Sequence, residues 1–183
     1  MDDRHYIRRI WTMLSSKCRV DLRLHGSEPA VIRETEPLDI YLIAPRLREM
    51  DTLEVELASG QSPEEALRKA YQVSDVCYTV EVSGEPEIMF GLRSKEDEDR
   101  TAFIWLLATD RLLDVSKLFL RCSRPMIQAL GQDYAVLENA VYEHNEVHIR
   151  WLEWVGAEFL EPVEALSGAR FLPFRILTES VTD

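Results

Sequence analysis

Asn145-Glu146-Val147-His148-Ile149-Arg150-Trp151-Leu152-Glu153-Trp154-Val155-Gly156 is the stretch on which the fold is decided. Ile149, Leu152 and Val155 recur at helical spacing on one side, and Gly156 supplies a stop, so the spacing predicts a helix over 145–155. Trp151 and Trp154 stand three residues apart on that helix while Ile149 and Leu152 point elsewhere. One indole is therefore left for the surface, and both are candidate interface residues. His144 and His148 have the spacing of a zinc metalloprotease helix. Asn145 replaces the carboxylate that motif needs beside its first histidine and no third ligand is indicated, so no metal site is predicted. His144 reads as part of the preceding turn and His148 as a surface residue.

Working outward from this helix, Val136–Val141 reads as a strand before it, and Phe159 and 171–177 as the last strands after it. Upstream, Asp114 can cap a long helix carrying Val115, Leu118, Phe119, Cys122, Met126 and Leu130. Pro125 is expected to kink or split that helix and Gly131 to end it. Phe103-Ile104-Trp105-Leu106-Leu107-Ala108 is apolar throughout, the pattern of a central strand buried on both faces. Val76–Val82 and 87–92 alternate as strands around a turn at Gly84-Glu85-Pro86, and Lys95–Arg100 is a solvated hairpin tip. Ser62-Pro63-Glu64-Glu65 is a capping box opening a helix to about Val73. Leu47, Met50, Leu53 and Leu57 form a helical stripe stopped by Ser59-Gly60, and 38–43 reads as a strand stopped by Pro45. The order β-α-α-β-β-β-α-β-α-β-β predicts an α/β fold, a mixed central sheet flanked by helices.

Residues 1–36 read as an N-terminal extension and 37–183 as the main domain. Within the extension, Ile7, Ile10, Trp11 and Leu14 recur at helical spacing among Arg4, Arg8, Arg9 and Lys17, a basic amphipathic segment and a candidate interface. The rest is strongly acidic: the chain carries a net charge of -12, which repels phosphate backbones and argues against nucleic acid as the main partner. Apolar residues make up 46%, enough for a core without metal or disulfide staples. Cys18, Cys77 and Cys122 are odd in number and far apart, which argues against a disulfide framework. No apolar run reaches a membrane span, and the first residues lack the apolar core of a secretory signal.

The element order, with Asn145, Ile149, Arg150, Glu153 and Gly156 in register, resembles the GNAT N-acetyltransferases, whose late helix runs Asn, two residues, a small residue, then Ile-Arg, and ends at a glycine after a tyrosine. A closer resemblance runs over about residues 38–177. It is carried by Ser62–Leu67, Met89-Phe90-Gly91, Trp105–Asp110, Val136-Leu137-Glu138-Asn139 and Asn145–Gly156. These look like the small acetyltransferase-like proteins encoded among the morphogenesis genes of tailed bacteriophages, a family that in short-tailed phages includes an internal virion protein. The resemblance implies a GNAT-like fold and partners among other phage structural proteins. It places the protein in the virion, and in the host cytoplasm before assembly, with self-association arising through the particle.

It implies acetyl-CoA as cofactor only if the chain is active, with Asn145 the residue of the late-helix pattern then contacting it. In GNAT enzymes the cofactor's pyrophosphate rests on a glycine-rich turn, where backbone N–H groups and a helix dipole meet the anion. The matching stretch here, Asp110-Arg111-Leu112-Leu113-Asp114, has no glycine and two carboxylates. The tyrosine that often serves as general acid is matched by Leu152, and Phe103–Thr109 offers no general base. Glu81 and Glu138 are the nearest alternatives, neither with a nameable partner. No catalytic residue is assigned, and a non-catalytic scaffold for protein contacts, with no cofactor, is the expectation.

Overall fold

The computed structural model describes residues 20–22 and 28–178. Its elements run β1 (Val20–Leu22), β2 (Ala30–Glu34), α1 (Pro37–Ile43), α2 (Glu49–Ser59), α3 (Pro63–Val73), β3 (Val76–Val82), β4 (Glu85–Ser94) and β5 (Thr101–Ala108). They continue as α4 (Ser116–Leu130), β6 (Val136–Tyr142), α5 (Glu146–Val155), β7 (Glu158–Phe159), β8 (Val163–Glu164) and β9 (Arg170–Leu177). The strands lie in one mixed sheet, ordered β1-β2-β3-β4-β5-β6-β9-β7 with β8 also on β9. β1 and β2 fall within the first 36 residues, and β2 pairs with β3 from Ala30↔Val82 to Glu34↔Tyr78, so the sheet extends into that segment.

Alternation along the strands feeds two cores. Met89 packs with Ile40, Ile43, Ala44 and Leu67 of the α1 and α3 side. Its neighbours Ile88 and Phe90 point the other way, into the larger cluster with Leu118, Cys122, Met126, Leu137 and Leu152. Helices thus cover both faces.

Every ladder is antiparallel except β5 with β6, which are parallel and pair only at Thr101–Phe103 against Val136–Glu138. Beyond that point β5 stays on β4 as far as Ala108 while β6 stays on β9 as far as Tyr142, and the sheet forks. Asn139 sits at the fork: its Nδ2 donates to the Ile104 carbonyl at 2.7 Å, closing the ladder where the strands part.

Several sequence expectations are corrected. Residues 38–43 are not a strand but most of α1: Pro37 sets the first helical turn, Glu36 N–H donates to Asp39 Oδ2 at 2.9 Å, and burial falls on Asp39, Ile40 and Ile43 with helical spacing. The turn expected at Gly84-Glu85-Pro86 is shorter, because Glu85 and Pro86 already pair in β4. Asp114 does not cap α4; it pairs with Arg111 at 2.8 Å, and the helix starts at Ser116 behind Val115. Pro125 does not split α4, which runs unbroken to Leu130 because eight of its side chains are buried and packing outweighs the roughly 3 kcal/mol proline penalty. β5 is not buried on both faces along its length, since Trp105, Leu106 and Leu107 are only half-buried beyond the fork.

The capping box at Ser62 forms, with Glu65 N–H donating to Ser62 Oγ and Ser62 N–H to Glu65 Oε2. Gly60 ends α2 in the left-handed region at φ 67°, where a side chain would be strained. Gly91 matters for space instead. A Cβ there would lie 2.5 Å from the Val76 carbonyl oxygen and 3.1 Å from Trp105 Nε1. Gly91→Ala is expected to lower the urea midpoint, with a loss of about 1–2 kcal/mol; an unchanged midpoint would show that β3 yields freely there.

Candidate functional site

The fork between β5 and β6 opens the interior, and α2, α4 and α5 close over it. Two cavities result, of about 400 and 340 Å³. The larger reaches Glu54, Val55 and Ala58 of α2, Asn139–Val141 of β6 and Met126 of α4. The smaller lies between α4 and α5, against Leu112, Leu113, Phe119, Leu120, Val147 and Trp154. Leu106, His148 and Trp151 line both, so these three side chains form the wall between them. His148 stacks on Trp151 at 5.2 Å, and Trp151 on Phe119 at 5.4 Å, with its indole N–H donating to Ser123 Oγ at 3.0 Å. His148 stands where the GNAT pattern carries a small residue, so the imidazole occupies room that pattern leaves open.

Polar groups gather on the α2 side of this wall. Arg48 N–H donates to the Ala108 carbonyl, Ala108 N–H to Asp51 Oδ2 at 2.9 Å, and the Arg48 guanidinium holds Asp51 at 2.7 Å. These bonds fasten α2 to the end of β5. One turn further on, Glu54 accepts Asn145 Nδ2 at 2.7 Å, while Asn145 Oδ1 accepts the His148 N–H at 3.3 Å and caps α5.

Burial, with Asp51 nearby, outweighs these hydrogen bonds and pushes the Glu54 carboxyl up to about 7. Asp51 is raised as well, again chiefly by desolvation. His148 is driven down to about 4 by burial and by the Arg48 charge, so its ring is neutral at pH 7, and its Nδ1 is buried with no hydrogen-bond partner. The site therefore offers a neutral imidazole and a carboxyl poised between its two forms near neutrality.

Sequence reasoning put His148 on the surface; it faces the cavities because α5 turns its Asn145–His148–Trp151–Leu152 side inward. Glu54, Asp51 and Arg48 were missed. The apolar stripe of Leu47, Met50, Leu53 and Leu57 drew the reading away from the cavity-lining side of α2, which carries Glu54, Val55 and Ala58, with Asp51 buried one turn before. Asp51, Glu54, Val55 and Ala58 recur at i, i+3, i+4 and i+7, which was the available signal. Glu81 and Glu138 lie elsewhere, Glu81 on Arg33 at 2.6 Å and Glu138 on Lys95 at 2.7 Å.

Leu152 is 1% exposed, inside the larger core. Trp151 is half-buried in the wall, whereas Trp154 is exposed, with Arg124 4.5 Å above its ring. Ile7, Ile10, Trp11 and Leu14 lie outside the described residues. Among the described residues no helix is long and apolar enough to cross a membrane.

The turn into α4 is where acetyl-CoA would place its pyrophosphate, and the residues present do not fit that group. Leu112 N–H donates to Thr109 O at 3.1 Å, Leu113 to Asp110 O at 3.0 Å, Asp114 to Arg111 O at 3.1 Å and Ser116 to Leu113 O at 3.3 Å. Arg111 N–H goes to Thr109 Oγ1 at 3.3 Å. A phosphate nest needs such donors aimed outward; here these five are used within the turn. The Arg111 guanidinium is held by Glu28 at 2.6 Å and Asp114 at 2.8 Å, and Asp110 is exposed beside it.

Solved structures share this architecture. An acetyltransferase of the GNAT family from Streptococcus pneumoniae superposes with a TM-score of 0.57 at 16% identity, covering 81% of this chain and 99% of that one. RimJ of Mycobacterium smegmatis, in complex with CoA-disulfide, gives 0.64 at 14% identity over 92% and 91%. Ard1 of Thermoplasma volcanium gives 0.58 at 13% over 81% and 97%. No protein-family model and no curated protein matches the sequence. The chain has an acetyltransferase-like GNAT fold.

Proposed function

We propose that this chain keeps the GNAT scaffold for protein contacts, as a protein that joins or helps assemble the particle of a tailed bacteriophage, and does not use it for acyl transfer from coenzyme A. The observation that carries the non-catalytic part is the turn before α4. Five of its N–H groups, those of Arg111 to Asp114 and Ser116, are spent internally, and Asp110 and Asp114 stand where a diphosphate would need positive potential. His148 in place of a small residue narrows the same path. The phage assignment rests on the sequence resemblance over 38–177. Exposed apolar side chains on α1 (Leu38, Tyr41 and Leu42) and on the segment from Leu160 to Leu166 provide surface for such contacts.

A second reading, an N-acyltransferase acting on a host or phage amine, draws support from Glu54. A buried carboxyl near its midpoint at neutral pH, beside a cavity, is what a general base requires.

Calorimetry with acetyl-CoA separates the two readings. No heat at millimolar ligand is expected. Binding with a Kd of about 1 μM, or about -8 kcal/mol, would overturn the non-catalytic reading in favour of the enzyme. For the particle, the tagged chain expressed during infection is expected to sediment with virions or assembly intermediates. Its complete absence from those fractions would remove the phage assignment.

A further inference from the structure

The larger cavity at the fork is walled by rings and by little that is polar. Phe90, Trp105, Trp151, Phe171 and Phe174 line it, and Glu54 is the one aspartate, glutamate, lysine or arginine among its described lining residues. Its volume of about 400 Å³ falls in the range of small-molecule sites, which are mostly apolar with a few placed polar groups. It opens to solvent, since Ala58 of α2 and Val163 of β8 both line it and both are exposed.

Few polar atoms are left for an occupant. Asn139 is used at both ends, its Nδ2 on the Ile104 carbonyl and its Oδ1 on the Ala140 N–H at 2.8 Å. The Trp105 indole N–H donates to Ser74 Oγ at 2.9 Å, and that of Trp151 to Ser123 Oγ. His148 and Glu54 remain. The His148 ring is neutral, and its Nδ1 is sealed away without a partner. Glu54 Oε2 accepts from Asn145 Nδ2, and the O–H that protonation adds is a donor which that bond does not use.

Charge decides the class of occupant. The charged groups around the Glu54 carboxyl are Arg48 and Asp51 of its own helix, and these are ion-paired to each other at 2.7 Å. Across from them stand Asn145 and neutral His148. No cation lines the cavity to hold an anion, and walls this apolar penalise an ion of either sign. A neutral molecule with a hydrogen-bond acceptor meets the protonated carboxyl without that cost.

We propose that the larger cavity binds an uncharged, aromatic small molecule that carries one hydrogen-bond acceptor, its rings between the aromatic walls and its acceptor on the Glu54 carboxyl. Aromatic rings suit such walls because offset and edge-to-face contacts add to the area they bury. The site is separate from the turn before α4, and its occupant is independent of the particle assignment.

The test titrates the full chain at pH 6 with 2-naphthol, which is uncharged there, beside the cation 1-naphthylmethylamine and the anion 2-naphthoate, followed by calorimetry. The naphthol is expected to bind with a Kd of about 100 μM or tighter, and both ions at least about tenfold more weakly. No binding of the naphthol overturns the proposal. So does an amine that binds as tightly, which would favour an amine site instead, or equal binding of all three.

Raising the pH from 6 to 8 is expected to weaken naphthol binding by about five- to tenfold, because ionised Glu54 must take up a proton to receive it. Glu54→Gln keeps a donor at that place and is expected to bind equally at both pH values. A wild type whose affinity does not change with pH overturns the proposal. Ala58→Trp places an indole in the mouth from an exposed helix position. It is expected to cost at least about tenfold in affinity at an unchanged thermal midpoint; unchanged affinity means that the probe sits elsewhere and likewise overturns the proposal. None of these outcomes alters the acetyl-CoA titration, so a failure here is distinguishable from a failure of the functional reading.

Discussion

Replacing Arg33 with methionine is expected to lower the free energy of unfolding by about 3–5 kcal/mol, because it strands buried carboxylates. Arg33 Nη1 and Nη2 grip Asp39 at 2.7 Å each, and Nε holds Glu81 at 2.6 Å. Asp39 is 2% exposed and Glu81 8%. Burial alone would raise the Asp39 carboxyl, but the guanidinium, the Glu36 N–H and the Thr79 hydroxyl together hold it below the usual carboxylate range. That bonding favours the charged form, so its stabilisation is present at neutral pH and fades as pH falls through the depressed folded value. Removing the cation reverses the balance at once. Arg33→Met combined with Asp39→Asn and Glu81→Gln keeps the acceptors for Glu36 and Thr79 while removing the charges, and is expected to recover at least half the loss. Urea unfolding at pH 7 measures both variants. A loss under about 1 kcal/mol for the single substitution would mean that water or another cation replaces the guanidinium.

This cluster also ties the first half of the chain together, joining β2, α1 and β3, and it explains an expectation that failed. Leu38-Asp39-Ile40-Tyr41-Leu42-Ile43 offers enough apolar residues for a short strand. The start of the helix is local, at Pro37 and the Glu36–Asp39 capping bond, but the pairing of Asp39 with an arginine on β2, which fixes the helix against the sheet, is a contact between elements that no local pattern contains. The later elements were legible because each carries its own local determinant: Ser62 with Glu65, Gly60, Gly156, and the unbroken apolar run of β5. Glu54 was illegible for the opposite reason. It sits on a helix whose sequence, Glu49-Met50-Asp51-Thr52-Leu53-Glu54, is rich in acids and reads as solvated. The fork in the sheet shows which side of that helix faces the cavity, and the spacing of Asp51, Glu54, Val55 and Ala58 was the one faint signal of it in the sequence. The burial of Leu152 in the core is a packing fact that no register reading contains; with 1% exposure it faces neighbours, not a substrate.

Glu54→Gln is expected to make the protein more stable at pH 8, by about 2–3 kcal/mol, and to leave it nearly unchanged at pH 5. An ordinary glutamate loses its proton near 4.5, whereas Glu54 in the folded chain keeps it to about 7, because desolvation and the neighbouring Asp51 disfavour the charged form. Between those values the folded state binds a proton that the unfolded state has released. Stability therefore falls as pH rises across that window, and levels off above it. Glutamine retains an oxygen for Asn145 Nδ2 and removes the titration. His148 works against this slope: its folded value of about 4 lies below the ordinary 6.5, so its share of stability grows as pH rises between the two. The raised Asp51 adds to the Glu54 slope. The wild-type curve alone is thus a mixture, and the difference between variant and wild type isolates Glu54. Urea midpoints at half-unit steps from pH 4.5 to 8.5 supply that difference. A flat difference would show that Glu54 is ionised in the fold throughout, and would withdraw from the acyltransferase reading the one group that supports it.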